Sequence, residues 1–145
     1  RPQRYVVNDP IDTSLASRTM LISGLLILAF LIYHLLHFTL GVTDPESHEL
    51  IDSQGRHDVY AMVVLSFQNI YVSTAYTVAM VFLGLHLSHA SSSIFQTLGL
   101  ASARTRLALH RAGIAVAVVI MLGNISIPAS VLSGLIGLST EGGSP

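Results

Sequence analysis

At 145 residues, with 10% of its side chains charged, 51% hydrophobic and a mean hydropathy of +0.63, the chain lacks the charge that a water-soluble surface requires. It has no cysteine, which excludes disulfides, thiolate metal sites and cysteine-held iron–sulfur clusters within it. Its basic residues are seven scattered Arg with no Lys, so no nucleic-acid surface is offered, and the formal net charge of -1 says little about partners.

Residues 1–16 read as a polar lead-in containing Pro2, Asp9, Pro10 and Asp12. It starts Arg-Pro-Gln-Arg with no signal peptide before the first apolar run, as expected of a fragment or a processed chain. Ser17 is placed to cap a first span, A, over residues 17–40. Residues 41–57 form a loop rich in Asp, Glu, Pro and Gly, closed by Ser53-Gln54-Gly55-Arg56. From Asp58 to Leu98 the apolar pattern would make a single helix of about 60 Å, about twice the hydrocarbon thickness of a bilayer. It must therefore break, and Gln68-Asn69 is the natural point. That leaves an interfacial helix and break over 58–69, lying along the surface, and a second span, B, over 70–98. A short basic turn, 99–106, leads to span C over 107–138, where Pro128 is expected to kink the helix while Asn124 and Ser126 help satisfy the freed carbonyls. Residues 139–145 are a tail.

No charged residue occurs from Thr19 to Thr43, from Val59 to Ala103 or from Ala112 to Thr140. Each run exceeds the roughly 20 residues that cross a bilayer core. The expected fold class is all-α: a transmembrane helix bundle with three spans and a short interfacial helix. Six of the Arg lie at the foot of span A (Arg1, Arg4, Arg18) or around the B-to-C turn (Arg104, Arg106, Arg111), which by the positive-inside rule puts the N-terminus and that turn in the cytoplasm. The 41–57 loop carries Asp44, Glu46, Glu49 and Asp52 ahead of Arg56 and is expected to face outward.

The ionisable residues inside the spans are histidines: His34 and His37 in A, His86 and His89 in B, with His110 at the inner end of C. Such residues at membrane depth are costly and tend to mark function. The plainer reading is that each bridges to a neighbouring helix by a hydrogen bond. Two His-x-x-His pairs favour metal or haem ligation, because positions i and i+3 share a helix face and can converge on one object. Zinc or iron carboxylate sites would want Asp or Glu beside the imidazoles, and no span has either. Haem needs an imidazole on each axial side and an apolar slot; Gly84, Ser88, Ala90 and Ser91-Ser92-Ser93 are small enough to admit a porphyrin, or to serve as ordinary helix contacts.

Depth limits the pairing. His34 stands roughly 22 Å above the inner foot of span A and His89 near the inner end of span B, so the two differ by about 15 Å along the membrane normal. Axial nitrogens on one iron are about 4 Å apart, so these two cannot share it. Each is half of a separate site. His110 could pair with His89, but nothing in the chain mirrors it at the outer level, and helices from outside this chain are the simpler supply.

Four stretches carry a resemblance: Ser17-Arg18-Thr19-Met20, Tyr33-His34-Leu35-Leu36-His37-Phe38, Gly84-Leu85-His86-Leu87-Ser88-His89 running on to Ser93-Ile94-Phe95-Gln96-Thr97-Leu98-Gly99, and Ile127-Pro128. Together they cover nearly the whole chain, which resembles the C-terminal three spans of the five-span di-haem cytochrome b anchor of succinate dehydrogenase and fumarate reductase. The resemblance implies two haems b, with His34 an axial ligand of the outer one and His89 of the inner one. Each haem takes its second histidine from helices absent here, or from another anchor chain. His37 and His86, one turn from those ligands, would be neighbours, propionate partners or ligands themselves. Arg18 would pair with an inner-haem propionate or act as an interfacial anchor. The implied role is electron transfer between an iron–sulfur subunit, served by a flavoprotein subunit, and quinone, in a bacterial cytoplasmic membrane; no dicarboxylate chemistry falls to this chain. The alternatives are a haem-free membrane scaffold and the cytochrome b anchor of another respiratory dehydrogenase.

Overall fold

The structure is a computed structural model that describes residues 15–99, 102 and 104–138, with the side chains of 15–19, 92 and 96 outside that description. Most of the lead-in, the tail and the side chain of Arg18 therefore fall outside it. The described chain is helical, with one isolated bridge, Ile51 to His57. Helix α1 spans Leu15–His34 and runs on through a π-helical turn, Leu35–Thr39. It begins two residues before Ser17, which is therefore inside the helix and not its cap. Gly41, at φ +63°, ends it in the left-handed region, while the Val42 amide returns to the Leu36 carbonyl at 2.8 Å.

Two short helices follow at this end of the bundle. Helix α2, Pro45–His48, has Pro in its first turn, and the Asp44 carboxylate accepts from the Ser47 amide. Helix α3, Val59–Gln68, is capped by Asp58, which accepts from the Ala61 amide at 2.9 Å. Asn69 then turns the chain: its backbone is extended, and its side chain accepts from the Tyr71 amide at 2.9 Å, capping the next helix. Helix α3 buries Ala61, Met62, Val64, Ser66 and Phe67 where it packs on α4 and α5 and leaves Val59 and Tyr60 exposed on its other side.

Helix α4, Ile70–Thr97, and helix α5, Arg106–Leu132, complete the chain. Apolar residues at 135, 136 and 138 extend the hydrophobic pattern, but Gly134 at φ +76° closes α5 at Leu132 and not at 138. Pro128 sits within α5 and frees the carbonyl of Asn124. The Asn124 amide and the Ser126 hydroxyl do not reach that carbonyl; they bond to the Ile120 and Gly123 carbonyls at 2.8 and 2.7 Å. The sequence expectation for these two side chains is thus corrected.

Helix α4 is the middle element, packed closely on α5 and more sparsely on α1. Small residues set the α4–α5 approach: a Cβ on Gly84 would stand 2.9 Å from Met121 Sδ, and one on Gly113 would collide with the Ser91 hydroxyl. Ser23 meets His86 and Phe30 meets Tyr76, so α1 and α4 run antiparallel. The core is concentrated at the α3 end, around Val64, Phe67, Tyr76 and Val131. Elsewhere little is covered: only 6%, 22% and 17% of the three apolar windows, Met20–Thr39, Ile70–Phe95 and Arg106–Leu132, is buried. Exposed apolar surface on this scale is untenable in water. By length and composition, these three helices are able to cross a membrane.

Candidate cofactor-binding site

At the α3 end α1, α4 and α5 line a half-open cavity of about 710 Å³, with α3 over it, within the range of small-molecule and cofactor sites. Its walls are mostly apolar, with Phe30 and Phe38 from α1, Met80 and Leu83 from α4, and Ile127 from α5. His34 lies on this wall. Its ring touches those of Phe30, Phe38 and Tyr76, and it makes no hydrogen bond to a described residue. A ring nitrogen is therefore available to a ligand in a mostly apolar space that His48 and His57 also line, and an imidazole nitrogen is the donor that a haem iron takes.

His37, only 3% exposed, is committed elsewhere. Its ring stacks between Tyr33 and Phe38, and Nδ1 lies 2.9 Å from the Tyr76 hydroxyl. Nε2 faces Asp44 at 3.9 Å, too long for a hydrogen bond but close enough to favour an Nε2–H there. Nδ1 then accepts from Tyr76. The Asp44 carboxylate also accepts from the Ser66 hydroxyl at 3.1 Å, tying α3 to this network. Burial acts to raise the Asp44 pKa, but hydrogen bonds from Ser47 and Ser66 and the electrostatic influence of the neighbouring His37 hold it below its ordinary value.

The second pair divides in the same way. His86 Nδ1 lies 2.9 Å from Ser23 Oγ, and that hydroxyl already donates to the Met20 carbonyl. With its one proton spent, Ser23 must accept from Nδ1–H, which leaves the lone pair on Nε2. His89 is exposed and makes no hydrogen bond to a described residue. It lies about 140° to 160° around α4 from Gly84 and Ser91, which face α5. That rotation turns it away from the face of α4 that packs on α5, the helix that carries His110.

The level of His34 is marked by its ring contact with Tyr76 at 5.9 Å. His89 lies thirteen residues further along α4, about 20 Å at 1.5 Å per residue. The two unbonded imidazoles therefore stand at different depths. Among the described residues no three His, Asp or Glu side chains gather into a metal site. In this cavity His34 is the residue that would hold a haem iron, and the apolar walls would take the porphyrin. The composition-level reading missed three groups at this site: Tyr76, and the loop residues His48 and His57 that line the same cavity. Comparison with protein-family models, curated proteins and solved structures finds no match to this chain.

Proposed function

We propose that this chain is the haem-binding membrane anchor of a succinate:quinone oxidoreductase, forming three spans of a five-helix assembly in a bacterial cytoplasmic membrane. The observation that carries the reading is an unbonded His34 on the wall of an apolar cavity, with a second unbonded imidazole, His89, about 20 Å away in depth. Haem, when bound, would supply reversible one-electron transfer. Within this chain His34 would hold the outer group and His89 the inner one. Phe30, Phe38 and Met80 exclude water from the outer slot. Ser23 fixes the tautomer of His86, which leaves His86 oriented in the α1–α4 seam. An imidazole as exposed as His89 on an apolar helix calls for a covering partner, and helices from outside the chain would bring both that cover and the missing axial nitrogens. The iron–sulfur subunit, with its flavoprotein, would dock on the Arg-bearing cytoplasmic end, and membrane quinone would take the electrons.

A haem-free scaffold is favoured by one observation: His37 and His86 do bridge helices, to Tyr76 and Ser23. A reduced-minus-oxidised spectrum of the purified complex separates the two, since a scaffold has no haem α-band. His34→Ala and His89→Ala should each remove one of two haem signals and leave the other. Loss of both signals from either change, in folded protein, counts against separate sites.

A further inference from the structure

Two histidines outside the spans have no part in the reading above. His48 ends α2 and His57 ends the hairpin before α3, and their ring centroids lie 4.7 Å apart with planes inclined by 46°. Backbone geometry fixes both. The imidazole of His48 packs against Gly41 where the Cβ of any other residue would stand, and the positive φ of Gly41 bars such a residue in any case. His57 is held by its bridge to Ile51 and by two flanking bonds, Asp52 amide to Arg56 carbonyl at 2.7 Å and Asp58 amide to Leu50 carbonyl at 2.8 Å. Gly55, at φ +76°, makes the turn, and the Arg56 guanidinium grips Asp52 at 2.8 Å. Neither imidazole makes a hydrogen bond to a described residue, so each keeps a ring lone pair available.

The spacing suits a shared ion. A metal about 2.1 Å from a ring nitrogen lies about 3.2 Å from that ring's centre, so centroids 4.7 Å apart subtend about 95° at the metal. That angle falls between octahedral and tetrahedral values. Neutral rings would hold an anion by single N–H donors alone, whereas one dication draws on two neutral lone pairs at once. We propose that His48 and His57 are two protein ligands of a site for a divalent first-row transition-metal ion, Zn(II) or Cu(II), at the loop end of the His34 cavity. Water completes the coordination sphere. Binding links the end of α2 to the hairpin and so braces the loops over that cavity. Both rings also line the His34 cavity, so the site is tested by metal binding itself and not by haem content.

Calorimetric titration of the tag-free chain in detergent with Zn(II) should give one site with a dissociation constant on the order of micromolar. His48→Ala and His57→Ala should each weaken it by at least about tenfold, and Gln54→Ala, in the same hairpin, should not. Frozen samples with one equivalent of Cu(II) should show coupling to two imidazole nitrogens. That measurement on the unaltered chain keeps the test valid even if a variant misfolds. Saturable binding absent below about 1 mM, equal affinity in both His variants, or coupling to a single nitrogen would each overturn the proposal.

Discussion

Replacing Tyr76 by Phe removes one hydroxyl and leaves the aromatic ring in place. That ring is 6% exposed and meets Phe30, Phe67 and Phe38 edge-on at 5.0, 5.1 and 5.5 Å, contacts that survive the change. The loss falls on His37, whose Nδ1 has only the 2.9 Å bond to Tyr76 and whose Nε2 is 3.9 Å from Asp44. Leaving a buried polar atom unpaired costs about 1–3 kcal/mol, whereas hydrogen bonds between membrane helices average about 0.6 and reach about 1.7 kcal/mol. His37 is enclosed by protein under α2 and α3, with no alternative partner in reach, so the upper part of the membrane range applies: about 1–2 kcal/mol. Unfolding in mixed micelles by added dodecyl sulfate, followed by far-ultraviolet circular dichroism, measures it. A cycle with His37→Leu should give a coupling of at least about 0.5 kcal/mol. A Tyr76→Phe change below about 0.3 kcal/mol, or additivity in the cycle, would refute the assignment of Tyr76 as the partner that holds His37.

The α4–α5 contact should be intolerant of bulk. Gly113→Val, which drives a Cβ into Ser91, should cost about 1–3 kcal/mol in the same unfolding assay, and Ser91→Gly should recover part of it. Asn69→Ala removes the cap on the first turn of α4 and should cost about 1 kcal/mol, whereas Asn69→Asp should be nearly neutral. Acid should loosen the α3 end. With its pKa held below the ordinary 3.8, the Asp44 carboxylate contributes stability that is fully present above that value and lost as pH falls through the lowered one. Unfolding at a series of pH values should show that fall, and Asp44→Asn should flatten it. Asp52, pulled down chiefly by hydrogen bonds from Arg56, acts in the same window, so the Asp44 share is read from the difference between variant and parent.

The three long helices were legible because charge is absent from three long runs and returns at Asp44, Asp58 and Arg104. The break at Asn69 was legible too, as a polar pair in an apolar stretch. Helix α2 was not read, although Asp44-Pro45-Glu46-Ser47 carries both a cap and a first-turn proline; the loop composition around it hid the signal. The end of α5 was overextended because Leu135, Ile136 and Leu138 are apolar, and only the positive φ of Gly134 shows where the helix stops. At the site, the spacing put each His-x-x-His pair on one helix face, and only the resemblance set His34 and His89 apart from His37 and His86. The structure separates the members of each pair by what the neighbouring helix offers: Tyr76 takes His37 and Ser23 takes His86, while His34 and His89 keep their nitrogens unbonded. No local pattern encodes that division, since it depends on which residues of α4 lie opposite which residues of α1. The cavity was hidden for the same reason, because its roof comes from α3 and one wall from α5.

The π-helical turn from Leu35 to Thr39 gives α1 one residue more than a regular ladder of i to i−4 bonds would use. Below it the helix has one angular phase, and above it another. A one-residue deletion there would restore a regular helix and swing everything beyond it by about 100°, carrying Phe38 and the approach to Gly41 away from their contacts without shifting the part of α1 before the turn. The inserted residue thus works as a phase shifter. It lets the lower helix keep its register against α4 while the ring presented to the cavity is chosen separately.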